Sequence, residues 1–128
     1  MPKSFLAGMK DGDSPRSLMN TRTGRLLASA VEVAGTSQSR RRGLLGRDSL
    51  DPSAALVIAP CSAIHTFFMR FAIDAVFVDR AGRVLKVTEH LKPWRIAMSL
   101  GAFAVIELNA GSVGRSDGVV RGDKLSLD

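Results

Sequence analysis

The sequence is short of the features that would tie it to several specialised protein classes. It has one cysteine among 128 residues, so no internal disulfide can form and a cystine-stapled secreted miniprotein is excluded. No uninterrupted apolar stretch approaches the roughly 18 residues of a membrane span. The segment from Met1 to Asn20 mixes Gly, Ser, Pro, Asp and Lys and lacks the apolar run of about seven or more residues at the heart of a secretory signal. The glycines lack the every-third period of collagen. Also missing are a Gly-rich phosphate loop, a Gly-x-Ser-x-Gly elbow and a His-Glu-x-x-His pair. The default compartment is therefore the cytoplasm, although a leader removed ahead of Met1 would leave no trace.

What remains is ordinary. Apolar residues make up 45% and charged residues 23%, the balance of one folded domain. A chain of this size buries roughly two thirds of its extended surface, so it needs no metal or disulfide staple. The net charge is +6. Half of that excess lies in the first 28 residues, where Lys3, Lys10, Arg16, Arg22 and Arg25 face Asp11 and Asp13. Residues 1–25 read as a flexible basic tail and residues 26–128 as a single domain. The body lacks a dense basic stripe interleaved with aromatics, which argues against nucleic acid as the main partner; association through the basic surface is kept as an alternative.

The local patterns favour strands. Leu26 to Val33 form an apolar, β-branched run, and Ala54 to Ile58 a continuous apolar one, as in a strand covered on both faces. Runs at 75–78 and 84–87 flank Asp79 to Gly82 and predict a hairpin. Further strands are expected at 102–108 and 124–127, with a turn or single helical turn at 109–114. Between the first two strands, Thr36 suits an N-cap and residues 37–45 a short helix stopped by Gly46. Arg40, Arg41 and Arg42 fall near its end, where exposed carbonyls favour cations, so they read as helix-end decoration. With few crossover helices available for parallel pairing, the expected fold class is α+β: mainly β, a compact, largely antiparallel sheet or small barrel with one short helix packed against it.

Chemistry-bearing residues are densest from Cys61 to Asp74, which holds a thiol, an imidazole, a guanidinium and a carboxylate. If residues 65–71 are extended, His65, Phe67, Met69 and Phe71 share one face. Arg70 and Asp74 would then meet only if the chain bends near Ala72. Asp74 sits among apolar neighbours and must be solvated or paired. Cys61 and His65 could form a nucleophile and its base, the alternative in which the protein is a cysteine-dependent hydrolase or transferase. A metal site would have to draw on Cys61, His65, His90 and Glu89, which form no paired ligand motif; no metal and no cofactor is expected. Trp94, the only tryptophan, follows Pro93 between Lys92 and Arg95.

Several of these residues form a recognisable pattern: RGLLGR at 42–47, IHTFFMRFAIDAVFVD at 64–79, LKPWR at 91–95, ELNAG at 107–111 and Gly122-Asp123. In order and spacing they resemble the DUF192 family across residues 27–127. The resemblance implies a small, mainly β domain of unassigned function, with recurring polar positions at His65, Thr66, Arg70, Asp74, Glu107 and Asp123, beside Trp94 and Arg95. Phe68 and Ala72 depart from it, standing where a small residue and a proline are frequent. The functional expectation is a small binding module whose concave surface is rimmed by His65, Thr66, Arg70, Asp74, Trp94 and Arg95. Its expected partner is a small anion or a protein segment, and the oligomeric state is left open.

Overall fold

The computed structural model of the chain describes residues 5–6 and 16–128. In order it comprises β1 (Arg16–Asn20), β2 (Arg25–Ala34), α1 (Ser37–Arg42), β3 (Ala54–Ile58), β4 (Ala63–His65), β5 (Ile73–Val78), β6 (Val84–Leu91), β7 (Ile96–Met98), β8 (Ala104–Asn109), α2 (Ser112–Arg115) and β9 (Leu125–Leu127). Seven strands form one sheet in the order β6-β5-β8-β3-β2-β1-β9, and β4 and β7 form a separate antiparallel ribbon. Within the large sheet only the β2–β3 pair is parallel. The sheet curls until its outer strands nearly meet. Arg83 bridges Lys124, and the Leu125 N–H donates to the Gly82 carbonyl at 2.9 Å. The fold is thus mainly β, a half-barrel with two short helices.

The continuous apolar runs have a direct cause. All six residues of β5 are buried, because both faces of the central strands are covered. Val76, Val78, Val57, Ile106 and Leu108 point into one cluster; Ala75, Phe77, Leu56, Ile58 and Val105 point into the other. The first cluster fills the curled sheet, with Val113 of α2 in it. The second lies beneath α1, its following loop and the β4–β7 ribbon, with Leu44, Leu50, Ile64 and Met69 supplying the cover. Full burial of one such side chain is worth about 1.5–3 kcal/mol, so alternation between two dry faces fixes the register of these strands firmly.

Local expectations are met where turn chemistry is strong. Thr36 caps α1 by accepting from the Ser39 N–H at 3.0 Å, while Ser39 Oγ accepts from the Thr36 N–H at 3.0 Å. In the hairpin, Asp79 Oδ1 accepts from the Ala81 and Arg83 N–H groups at 2.9 Å each. Gly82, at φ 88°, is required there: a Cβ would lie 2.5 Å from the Leu125 carbonyl oxygen.

Four expectations change. The helix ends at Arg42, with Gly43 rather than Gly46 beyond it, because Leu44 turns into the core. A second short helix, α2, takes up the helical-turn alternative read for 109–114, where the expected fold counted one helix. Residues 16–20, assigned to a tail, are a strand paired on both sides, with Leu18 and Asn20 wholly buried. Phe5 also packs into the first cluster. Alternation in β1 spans too few residues to register as a strand in sequence. The rest of the expected tail lies outside the described residues. Finally, residues 65–71 are not extended: β4 stops at His65 and the chain turns, with the Met69 N–H donating to the Thr66 carbonyl at 3.2 Å.

Candidate functional site

The ribbon, the α1 loop and the second face of the sheet do not close on one another completely. Between them lies a cavity of about 510 Å³, within the roughly 300–1,000 Å³ typical of small-molecule sites. Its walls place Arg40, Arg41 and Arg42 of α1 opposite Cys61 and His65, with Glu107 also lining it. Arg41 and Arg42 are exposed; Glu107 is 3% exposed.

Glu107 follows from strand parity. On β8 it shares the face of Val105, and it sits between Leu56 of β3 and Ala75 of β5, in the middle of the sheet. Among the described residues no side chain or backbone donor hydrogen-bonds its carboxylate. Burial pushes its pKa up to about 7, against a weaker pull downward from Arg47. An acid at the edge of ionisation near neutrality can donate or accept, which suits a ligand group with either demand.

Cys61 is half-buried, and its thiol donates to the Ala63 carbonyl at 3.1 Å. Burial is the largest influence and raises its pKa, neighbouring Glu107 adds to the rise, and the Ala63 backbone and Arg40 pull the other way. A nucleophilic cysteine needs the opposite setting. His65 Nδ1 accepts from the Phe67 N–H at 3.3 Å, and the ring lies 4.8 Å from that of Phe67.

The other expected site residues are distributed elsewhere. Thr66 is a staple rather than a rim residue. It is fully buried, its hydroxyl donates to the Lys92 carbonyl at 2.6 Å and accepts from the Arg95 N–H at 2.9 Å, tying the turn after β4 to the turn before β7. Arg70 pairs with Asp48 at 2.6 Å on the surface. Asp74 is wholly buried and accepts from the backbone N–H groups of His90, Gly111 and Val113 at 2.9, 3.1 and 3.0 Å. The expected Arg70–Asp74 meeting therefore does not occur. β5 places Asp74 on the face of Val76, toward α2, while Arg70 leaves the preceding turn toward solvent. Trp94 is exposed, 4.6 Å from Phe68 and 5.7 Å from Phe67 between ring centres. Arg95 is exposed with its guanidinium over the Pro93 and Trp94 carbonyls. Among the described residues no three of His, Cys, Asp and Glu are grouped as metal ligands would be.

Sequence reasoning thus found His65 and Cys61 but not the arginines across the cavity, which read as helix-end charges. Glu107 entered only through the family pattern. Its own signal was available: a carboxylate inside the otherwise apolar run Ala104 to Leu108, where burial without a partner is expensive.

Comparison with known proteins agrees with this architecture. The model of the DUF192 family, described as an uncharacterised ACR, matches residues 18–127. A UPF0127 protein of Thermococcus sibiricus is 30% identical over 102 residues, covering 75% of this chain and 65% of its own. Another, from Pyrococcus horikoshii, is 42% identical over 72 residues, covering 52% and 59%. The chain therefore spans less than two thirds of the length of these relatives. Among solved structures, a Sinorhizobium meliloti protein described as a "putative transcription regulator" superposes with TM-score 0.78 at 26% identity, over 94% of this chain and 98% of that one. A protein of unknown function from Novosphingobium aromaticivorans gives TM-score 0.74 at 23% identity, over 88% and 83%, which speaks to the fold alone.

Proposed function

This chain belongs to the DUF192 family, whose function is unknown, and from that starting point we propose that it is a binding module taking a small anionic molecule in the cavity between α1 and the β4–β7 ribbon. The observation that carries the reading is a buried carboxylate without a hydrogen-bond donor, facing a space rimmed by three consecutive arginines. The fold itself gives this acid no donor, and its low exposure disfavours the charged form. A bound molecule would meet it. Its anionic end would lie on the guanidinium groups, which grip carboxylates and phosphates in bidentate fashion, and a hydroxyl or amine would reach Glu107. His65 stands at the wall as a further donor or acceptor. The ligand site is thus displaced from the rim expected in sequence: His65 stays, and Arg40, Arg41, Arg42 and Glu107 replace Arg70 and Asp74.

Two other readings receive less support. The raised pKa of Cys61 runs against a thiolate nucleophile. The Sinorhizobium protein's description suggests nucleic acid, yet Arg22, Arg25, Arg47 and Arg70 are each paired to a carboxylate, which removes four cations from a phosphate-binding surface.

A thermal-shift series with three- to six-carbon phosphorylated and carboxylated hydroxy or amino acids tests the proposal. A ligand that selects the native state raises the melting temperature as its concentration passes Kd. The rise should vanish in Arg41→Ala/Arg42→Ala and shrink for analogues lacking the hydroxyl or amine. A response that survives the double arginine replacement would place binding elsewhere.

A further inference from the structure

One surface is unexplained by the cavity or by the core. The β4–β7 ribbon pairs Ala63 with Met98 and His65 with Ile96. Ile64 and Ala97 point inward and are buried, while Ile96 and Met98 are exposed and Ala63 and His65 border the cavity. At one end of the ribbon Phe68 and Trp94 extend the stripe, in ring contact with each other; at the other, Leu100 stands on the turn after β7. Phe68 is 72% exposed, Trp94 55%, Ile96 63%, Met98 52% and Leu100 90%. Five of the seven large apolar side chains exposed among the described residues thus fall in one ribbon and its turns, where a monomeric protein ordinarily scatters them.

The backbone holds them there deliberately. Phe68 and Trp94 adopt φ of 65° and 66°, a left-handed conformation that bulky residues avoid. Both turns are fixed on Thr66, whose carbonyl accepts from the Met69 and Trp94 N–H groups at 3.2 and 3.0 Å. Both rings are carried away from the core by these turns and left exposed.

The charges around the stripe identify what it meets. The ribbon and its turns, residues 61–72 and 92–102, contain no Asp or Glu and carry Arg70, Lys92 and Arg95. Of these, Arg70 alone has a carboxylate partner, Asp48. An apolar stripe with protruding tips and flanking cations fits a fluid, negatively charged surface. A rigid partner would have to match each projecting side chain, whereas acyl chains flow around them while Trp94 sits at headgroup level and the cations meet lipid phosphates.

We propose that this face seats the protein on an anionic lipid bilayer, with Phe68, Trp94, Ile96, Met98 and Leu100 entering the interface and Lys92 and Arg95 contacting headgroups. No helix among the described residues is long and apolar enough to cross a membrane, so the attachment is peripheral.

Trp94 is the only tryptophan and reports directly. With vesicles of phosphatidylglycerol and phosphatidylcholine, its emission should shift to the blue and the protein should float with the lipid. Pure phosphatidylcholine should give neither. Lys92→Glu/Arg95→Glu should weaken partitioning by roughly fivefold or more for each charge removed. Phe68→Asp/Leu100→Asp, both at exposed positions, should weaken it by roughly tenfold or more. No shift at millimolar anionic lipid overturns the proposal. So does a blue shift that appears with protein concentration alone, which would make the occupant a second copy, and so does binding that survives Phe68→Asp/Leu100→Asp.

Discussion

Among the described residues three carboxylates are buried, and the two regions that hold them treat them in opposite ways. On the side toward α2 and the closing strands, every donor needed is present. Asp74 receives three backbone N–H groups. Asp123 receives Arg22 Nε at 2.7 Å and Asn20 Nδ2 and the Val120 N–H at 2.9 Å each. These acids join segments distant in sequence, β5 to the β8–α2 turn and β1 to the approach to β9. On the side beneath α1, Glu107 receives none. The first region uses buried charge to hold the barrel shut, and the second leaves it unmatched beside a space. The difference separates groups retained for the fold from the one that we propose meets its partner in a bound ligand.

The comparison breaks most visibly at Asp74. Asp74→Ala would take the acceptor from three backbone N–H groups, the buried one of Val113 and the part-buried ones of His90 and Gly111, at about 1–3 kcal/mol for the buried group and less for the others. Against a total stability of about 5–15 kcal/mol for a typical domain, that loss should destabilise the variant markedly, by circular dichroism and urea titration. A variant that folds with wild-type stability would show that the network around Asp74 is dispensable.

Glu107 and Asp123 should respond to pH with opposite signs, which sharpens the contrast. The Glu107 carboxyl moves from an ordinary 4.5 to about 7 on folding. Its contribution to stability is therefore complete below about pH 4.5 and is lost as pH rises through 7. Above that the interior holds a full charge at a cost of roughly 3 kcal/mol. Glu107→Gln should accordingly be more stable than the wild type at pH 8.5, by up to about 3 kcal/mol, and nearly equal to it at pH 4. Asp123 is held down at about 2, chiefly by its bond from Arg22. Its contribution is present above the ordinary carboxylate range and disappears as pH falls toward 2. Asp123→Asn should destabilise at pH 7 by about 1–2 kcal/mol, a modest figure because Arg22 is half exposed, and the gap should close on acidification. Denaturant midpoints measured across pH read both slopes; parallel slopes would remove the distinction.

Strands were legible where two dry faces impose continuous apolarity, as in Ala54 to Ile58, and turns where a residue carries its own geometry, as with Asp79, Gly82 and Thr36. The ribbon was not, because β4 and β7 have three residues each and their pairing depends on the Thr66 staple across 29 positions. The family pattern identified Asp74, Thr66, Glu107 and Asp123 as special without separating fixtures of the fold from the acid at the cavity. That separation depends on donors from distant segments: Gly111 and Val113 for Asp74, Asn20 and Arg22 for Asp123. Arg40 to Arg42 read as helix-end charges because the space opposite them exists only once β4 has folded over the sheet.

The smallest expected effect belongs to Arg70, which sequence placed at the heart of the site. Its partner is Asp48, and the side chains are 61% and 83% exposed, so water screens the pair. Exposed pairs of this kind contribute about 0–1 kcal/mol. The guanidinium lines neither the cavity nor the network of Asp74, which makes Arg70→Ala the control for the comparison between the two regions. Thermal stability should change by less than about 1 kcal/mol, the pH slopes assigned to Glu107 and Asp123 should be unaltered, and any anion that raises the melting temperature should do so equally in wild type and variant. Loss of the anion response in Arg70→Ala, with Arg41→Ala/Arg42→Ala unaffected, would move the site out of the cavity to the surface turn before β5, and Glu107 would then be an unmatched acid with no ligand to explain it.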